Sequence, residues 1–216
     1  MLIEAAVESL DAALAAGEGG ANRIELCADL AHGGTTPAVE LIRHSKSRLH
    51  IPIFVLVRPR AGDFVYSDED HQTTIKQIQR SKNAGAQGIV TGELTGDRHV
   101  AEARTLELLE AARPLPVTFH RAFDDCLELG AALEALIRVG VTRVLTSGGA
   151  RTAADGADRI GRLVTQAKGR IEILAGGGID AGNVARLVQD TGVREIHFSV
   201  TDAEKVRRVI GALSAR

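Results

Sequence analysis

The chain repeats one local pattern eight times: a short run rich in β-branched and aliphatic residues, a glycine or polar turn, and an amphipathic stretch rich in Ala, Leu and Arg. The apolar runs fall at 2–7, 23–27, 51–58, 88–91, 116–120, 143–147, 171–175 and 195–198. The helical stretches fall at 9–16, 37–48, 68–84, 99–113, 127–139, 152–168, 180–190 and 202–213. Strands that alternate with helices of this length are parallel, because parallel neighbours need a crossover between them. Eight such units in 216 residues predict an α/β fold, a closed (β/α)8 TIM-type barrel forming one domain over 1–216. A doubly wound open sheet is the competitor, and eight units are many for it in so short a chain. No linker, low-complexity tract or composition shift divides the sequence.

Helix-end chemistry agrees with this phasing. Pro37 is placed for a first helical turn after Thr35 and Thr36, and Asp68 and Asp180 for the caps of the third and seventh helices. Gly17, Gly85, Gly140 and Gly192 each precede a strand, where a left-handed helix stop is expected.

Composition narrows the function classes. A net charge of -2, no Trp, one Tyr and no basic block argue against nucleic acid, which needs cationic surface and stacking platforms. The first apolar run carries Glu4 and Glu8 without a basic leader, and no later run has the length of a membrane helix, so a cytoplasmic protein without membrane contact is expected. Cys27 and Cys126 are expected as reduced thiols, whose ordinary role is that of small buried hydrophobes.

Candidate chemistry gathers where the predicted strands end, which is where TIM-type barrels place their active sites. The most constrained stretch is P-V-T-F-H-R-A-F-D, residues 116–124, an apolar strand that runs directly into His120, Arg121 and Asp124. Period two assigns Ile24 and Leu26 to the helix side, and Arg23, Glu25 and Cys27 to the barrel axis. Arg23 and Glu172 are expected to pair in the lower layer as a structural salt bridge.

Two chemistries suit the upper cluster. Glu4, Glu25, His120 and His197 are oxygen and imidazole donors, and Cys27 adds a sulfur that would favour copper or zinc. Alternatively, Arg58, Arg60 and Arg121 supply positive charge for an anion. Gly148, Gly149 and the glycines at 176–178 expose backbone N–H groups before helices, with Ser147 beside the first pair, and Gly176–Gly178, Asn183 and Ser199 fall in the loops after strands seven and eight, where barrels commonly hold phosphate. In that case His120, Glu25 and Asp124 are the acid–base candidates.

The strings R-I-E-L-C (23–27), G-G-T-T-P (33–37), R-P-R-A-G-D-F-V-Y-S (58–67), T-F-H-R-A-F-D (118–124) and R-V-L-T-S-G (143–148), with the 194–197 strand, resemble the CutC family, whose members carry the name of copper homeostasis proteins. The resemblance spans nearly the whole chain in order. It implies a cytoplasmic TIM-type barrel, often a homo-oligomer, that binds or handles a copper ion. The alternative is an enzyme acting on a small anionic metabolite, phosphorylated or not, by His and Glu acid–base chemistry.

Two departures from the family pattern stand out. Ala5 and Ala6 occupy first-strand positions where members often carry cysteine, which leaves Cys27 and Cys126 as the sulfur donors. Ser199 is followed almost at once by Asp202 and the last helix, where the family usually carries a longer polar segment.

Overall fold

The computed structural model describes residues 1–214. Eight parallel strands close on themselves in sequence order: β1 (Leu2–Val7), β2 (Arg23–Leu26), β3 (Ile53–Leu56), β4 (Gly88–Thr91), β5 (Val117–Phe119), β6 (Arg143–Thr146), β7 (Glu172–Gly176) and β8 (Glu195–Ser199). Each strand is followed by a helix: α1 (Leu10–Glu18), α2 (Val39–Arg48), α3 (Asp68–Ala84), α4 (Glu102–Ala112), α5 (Leu129–Val139), α6 (Ala157–Ala167), α7 (Val184–Thr191) and α8 (Ala203–Ser214). The expected barrel is therefore present, with β1 and β4 at their predicted limits. No described helix is long and apolar enough to cross a membrane.

The two strand faces bury different material. Outward residues such as Ile24, Leu26, Val55, Val117, Phe119 and Val144 join the main core with the inner faces of the helices. Inside the barrel, Ala6, Cys27, Phe54, Leu56 and Val90 form a small apolar cluster, and Leu145 and Leu174 also face inward. Much of the remaining interior is charged.

Strand register explains how those charges pair. Arg23, Glu4 and His197 stand at one height on β2, β1 and β8. Glu195 lies one layer lower, level with Leu2, and Glu25 one layer higher, level with Ala6. Arg23 bonds to Glu4 and, at 3.0 Å, to Glu195, and Arg143 bonds to both oxygens of Glu195. The Phe54 ring lies 4.5 Å from the Arg23 guanidinium and 5.6 Å from that of Arg143. The expected Arg23–Glu172 pair is not formed. Register sets Glu195 opposite Leu174, two residues above Glu172, so Glu195 takes the place that Glu172 was expected to fill.

Helix ends show where the sequence expectations shift. Ser67, not Asp68, caps α3: its hydroxyl accepts from the Asp70 N–H at 3.1 Å while the Asp70 carboxylate accepts from the Ser67 N–H. Such reciprocal capping satisfies two otherwise unpaired donors. Asn183 stands at the N-cap of α7, and Asp180 instead closes the preceding turn by accepting from the Gly182 N–H. Pro37 precedes the α2 cap, Ala38. Gly85, Gly140 and Gly192 are left-handed stops as expected, but Gly17 lies inside α1, because the Gly19 N–H still reaches Ala15 and carries the helix on.

Candidate ligand site at the barrel mouth

A cavity of about 290 Å³ opens at the C-terminal ends of the strands. Glu25, Arg58, His120, Arg121, His197 and Lys205 line it, with Phe64 and Leu145 among its apolar walls. Its size suits a small molecule with a few convergent polar groups.

Arg58 is the least ordinary of these residues. It follows β3 and is only 4% exposed. Its guanidinium donates to the carbonyls of Gly34 at 2.8 Å and Gly62 at 2.6 Å, and its carbon lies 4.8 Å from the Phe64 ring centre. Among the described residues no carboxylate pairs with it, and its Nε has no partner. The α8 side chain Lys205 adds a third cation to the wall, beside Arg58 and Arg121.

Arg121 is held by Asp124 at 2.8 Å and by the Ser147 hydroxyl at 2.7 Å. The Asp124 carboxylate also accepts from the backbone N–H groups of Ser147 and Gly149 and from the Thr146 and Ser147 hydroxyls. It thereby ties the short turn Arg121–Asp125 to the loop after β6. Asp124, Ser147 and Gly148 are thus brought to the mouth without lining the cavity, while Gly177, Gly178 and Ser199 do line it. The Gly148 and Gly149 N–H groups are already taken by Thr146 and Asp124, so the first loop offers a ligand less than the sequence suggests.

Arg60 does not reach the cavity. Its side chain is 37% exposed and pairs with Asp63 and Asp70 on the outside. The parity that orients a strand no longer holds two residues after Arg58, in the loop. Lys205 is the converse: a contributor that strand-end reasoning missed because it sits in the first turn of a helix.

His120 follows β5 and is 5% exposed. Its Nδ1 accepts from the Ala122 N–H at 3.2 Å, and its Nε2 is buried without a partner. Gly92 makes room for the ring, since a Cβ there would lie 2.9 Å from it. Burial, with the Arg58 charge adding to it, pushes the imidazole pKa down to about 3, so His120 is neutral at ordinary pH.

Unfolded, the same ring titrates near 6.5, so between pH 6.5 and 3 the unfolded chain takes up a proton that the folded chain refuses. The resulting stability is full above 6.5 and is lost as pH falls towards 3. Urea unfolding of a His120→Gln variant should show an acid limb shallower by up to about 1.4 kcal/mol per pH unit. Identical limbs would mean the ring charges within the folded protein.

Below the mouth, His197 Nδ1 bonds to Glu4 at 2.8 Å and its Nε2 lies 3.5 Å from Glu25 Oε2. Burial opposes charge on His197, but Glu4 and Glu25 outweigh it and raise its pKa. Burial likewise works against the Glu4 carboxylate, and His197 with Arg23 overcomes it, holding that carboxyl below its usual range. Glu25 is pushed up to about 7, chiefly by burial and partly by the Glu4 charge, against the pull of His197.

The donors expected for a metal do not assemble into a site. Both Glu4 oxygens are engaged, by Arg23 and by His197. Cys27, which follows Glu25 on the same inward face, is fully enclosed, its thiol 3.7 Å from Glu25 Oε2, and burial followed by the Glu25 charge pushes it well above the ordinary thiol range. His120 belongs to the opposite wall, against Phe64. Cys126 is buried near the carbonyl of Ala122 and does not line the cavity. Among the described residues no group of three or more His, Cys, Asp or Glu side chains could hold a metal ion.

With this geometry in view, the profile of the CutC family matches residues 1–202. The chain belongs to the CutC family. A human relative named copper homeostasis protein cutC homolog is 46% identical over 198 residues, covering 92% of this chain and 72% of its own. A CutC family protein of Pasteurella multocida is 44% identical over 199 residues, covering 92% and 82%. A crystal structure of CutC from Streptococcus agalactiae superposes with a TM-score of 0.87 at 34% identity, over 91% of this chain and 97% of that one. An aldolase, QR15, shares the barrel alone, with a TM-score of 0.73 at 13% identity over 99% of this chain and 94% of its own. The CutC profile ends as α8 is about to begin, so Lys205 lies outside the matched residues.

Proposed function

We propose that this CutC family member takes part in copper homeostasis, as its relatives are named, through the mouth cavity, and that the cavity's ligand is a small organic anion and not a bare copper ion. The observation that carries this reading is Arg58: a nearly inaccessible guanidinium in a cavity wall, held by backbone carbonyls, with no carboxylate partner among the described residues. A buried charge without a counterion is costly, and an anionic ligand supplies the missing partner. Arg121 and Lys205 add to the same positive field, which repels a cation. Copper as cargo would need the Cys27 sulfur, and that thiol is enclosed and held in its protonated form.

Calorimetric titration with 2-phosphoglycolate, citrate and Cu(I) tests the reading. Arg58→Met should weaken the bound anion at least about 30-fold, as expected for truncating one side of a buried charge pair. Arg60→Met should bind like the parent. Tight Cu(I) binding that disappears in Cys27→Ser, with both anions silent, would replace this reading with direct metal capture.

A further inference from the structure

The anion-binding reading leaves two cavity groups without a task, and they form a complementary pair. His120 Nδ1 is occupied as an acceptor by the Ala122 N–H, so the single proton of the neutral ring lies on Nε2. That N–H is buried, has no partner within the protein and belongs to a ring that lines the cavity. Leaving a buried donor unpartnered is unfavourable, and a ligand oxygen would remove that cost. Glu25 lines the same cavity from the end of β2. Its two contacts, a weak thiol hydrogen bond from Cys27 at 3.7 Å and the approach of His197 at 3.5 Å, both fall on Oε2, and among the described residues no hydrogen bond or ion pair engages Oε1.

We propose that the cavity takes a short hydroxycarbonyl compound bearing an anionic group, and that Glu25 and His120 move a proton on the carbon next to its carbonyl. This rests on the anion-binding reading, in which Arg58 holds the charged group. His120 Nε2–H donates to the carbonyl oxygen. The Glu25 carboxylate removes a proton from the neighbouring carbon: that C–H bond breaks, its electron pair becomes the C=C bond of an enediolate, and the carbonyl π pair moves onto the oxygen facing His120. Return of the proton to the same carbon regenerates the compound. Return to the former carbonyl carbon, with the hydroxyl proton passing to the enediolate oxygen, gives its isomer. No oxidant, reductant or further reactant is required. A neutral imidazole suits this position, since it polarises a carbonyl by hydrogen bonding, and a carboxyl that titrates near 7 suits a general base at physiological pH.

The step is read directly as exchange of carbon-bound hydrogen for deuterium, followed by proton NMR in D2O with dihydroxyacetone phosphate and, separately, hydroxypyruvate, while calorimetry with 2-phosphoglycolate reports anion binding. The expected result is exchange above the buffer rate with one probe, which also decides between phosphate and carboxylate. Glu25→Gln should lower it at least about 100-fold while 2-phosphoglycolate still binds. His120→Phe should lower it about 100-fold, and His120→Gln, which keeps an N–H donor, should recover part of the loss. Binding of 2-phosphoglycolate without exchange of either probe overturns the proton-transfer proposal and leaves the anion site standing. Failure to bind 2-phosphoglycolate overturns both.

Discussion

Replacing Glu195 with Leu should destabilise the protein by about 3–5 kcal/mol, the cost of removing one partner from a buried ion pair. Glu195 bonds to Arg23 and to both Nε and Nη2 of Arg143, and all three side chains are less than a tenth exposed. Arg23 would keep Glu4, but Arg143 would keep no carboxylate, and its Nη1 already lacks a partner. Phe54 offers its ring face to both guanidiniums and cannot neutralise either. Urea unfolding measures the loss. Adding Arg143→Met to Glu195→Leu should recover most of it, because an apolar pair of similar volume leaves no charge stranded. A single-variant loss below about 1 kcal/mol would match an exposed pair and would show that water reaches the barrel floor.

Asp124→Ala should be nearly as damaging, and its effect should spread to the ligand. The carboxylate satisfies the backbone N–H groups of Ser147 and Gly149, two hydroxyls and Arg121. Each buried donor left unpaired costs about 1–3 kcal/mol, so a loss of about 3 kcal/mol or more is expected from urea unfolding. Because Asp124 aims Arg121 at the cavity, 2-phosphoglycolate should bind at least about 10-fold more weakly, a loss of the size expected for a charge-assisted hydrogen bond. This outcome differs from that for an acid–base group, which the sequence also allows for Asp124. A proton-transfer role would leave affinity near the parent value and remove only turnover.

The barrel and its inward-facing residues were legible because period two is a rigid rule inside a strand. It placed Glu25 and Cys27 on the axis and Ile24 and Leu26 towards the helices, as found. The rule weakens where the strand ends. Arg58, two residues past the end of β3, still enters the cavity, whereas Arg60, two residues further on, turns outward to Asp63 and Asp70. Lys205 carries no strand-end signal and joins the mouth because closure of the barrel sets β8 between β7 and β1 and seats α8 between α7 and α1. The choice of Glu195 over Glu172 as the partner of Arg23 depended on stagger between strands, which no single strand's pattern contains. Similarly, the consumption of Asp124 by donors from the β6 loop could not be read from the adjacency of His120, Arg121 and Asp124 along the chain.

The charged file through the barrel ends on a single ring. Arg143, Glu195, Arg23 and Glu4 connect to one another, and among the described residues His197 is the member that both bonds to this file and faces the cavity. Foundation and workplace therefore share one joint. The loops above can diverge to suit new ligands without renegotiating the charges below, provided position 197 keeps a side chain that grips Glu4 and leaves Glu25 free. Within such a lineage, drift in ligand preference and drift in thermal tolerance should proceed on separate residues, with His197 the place where they collide.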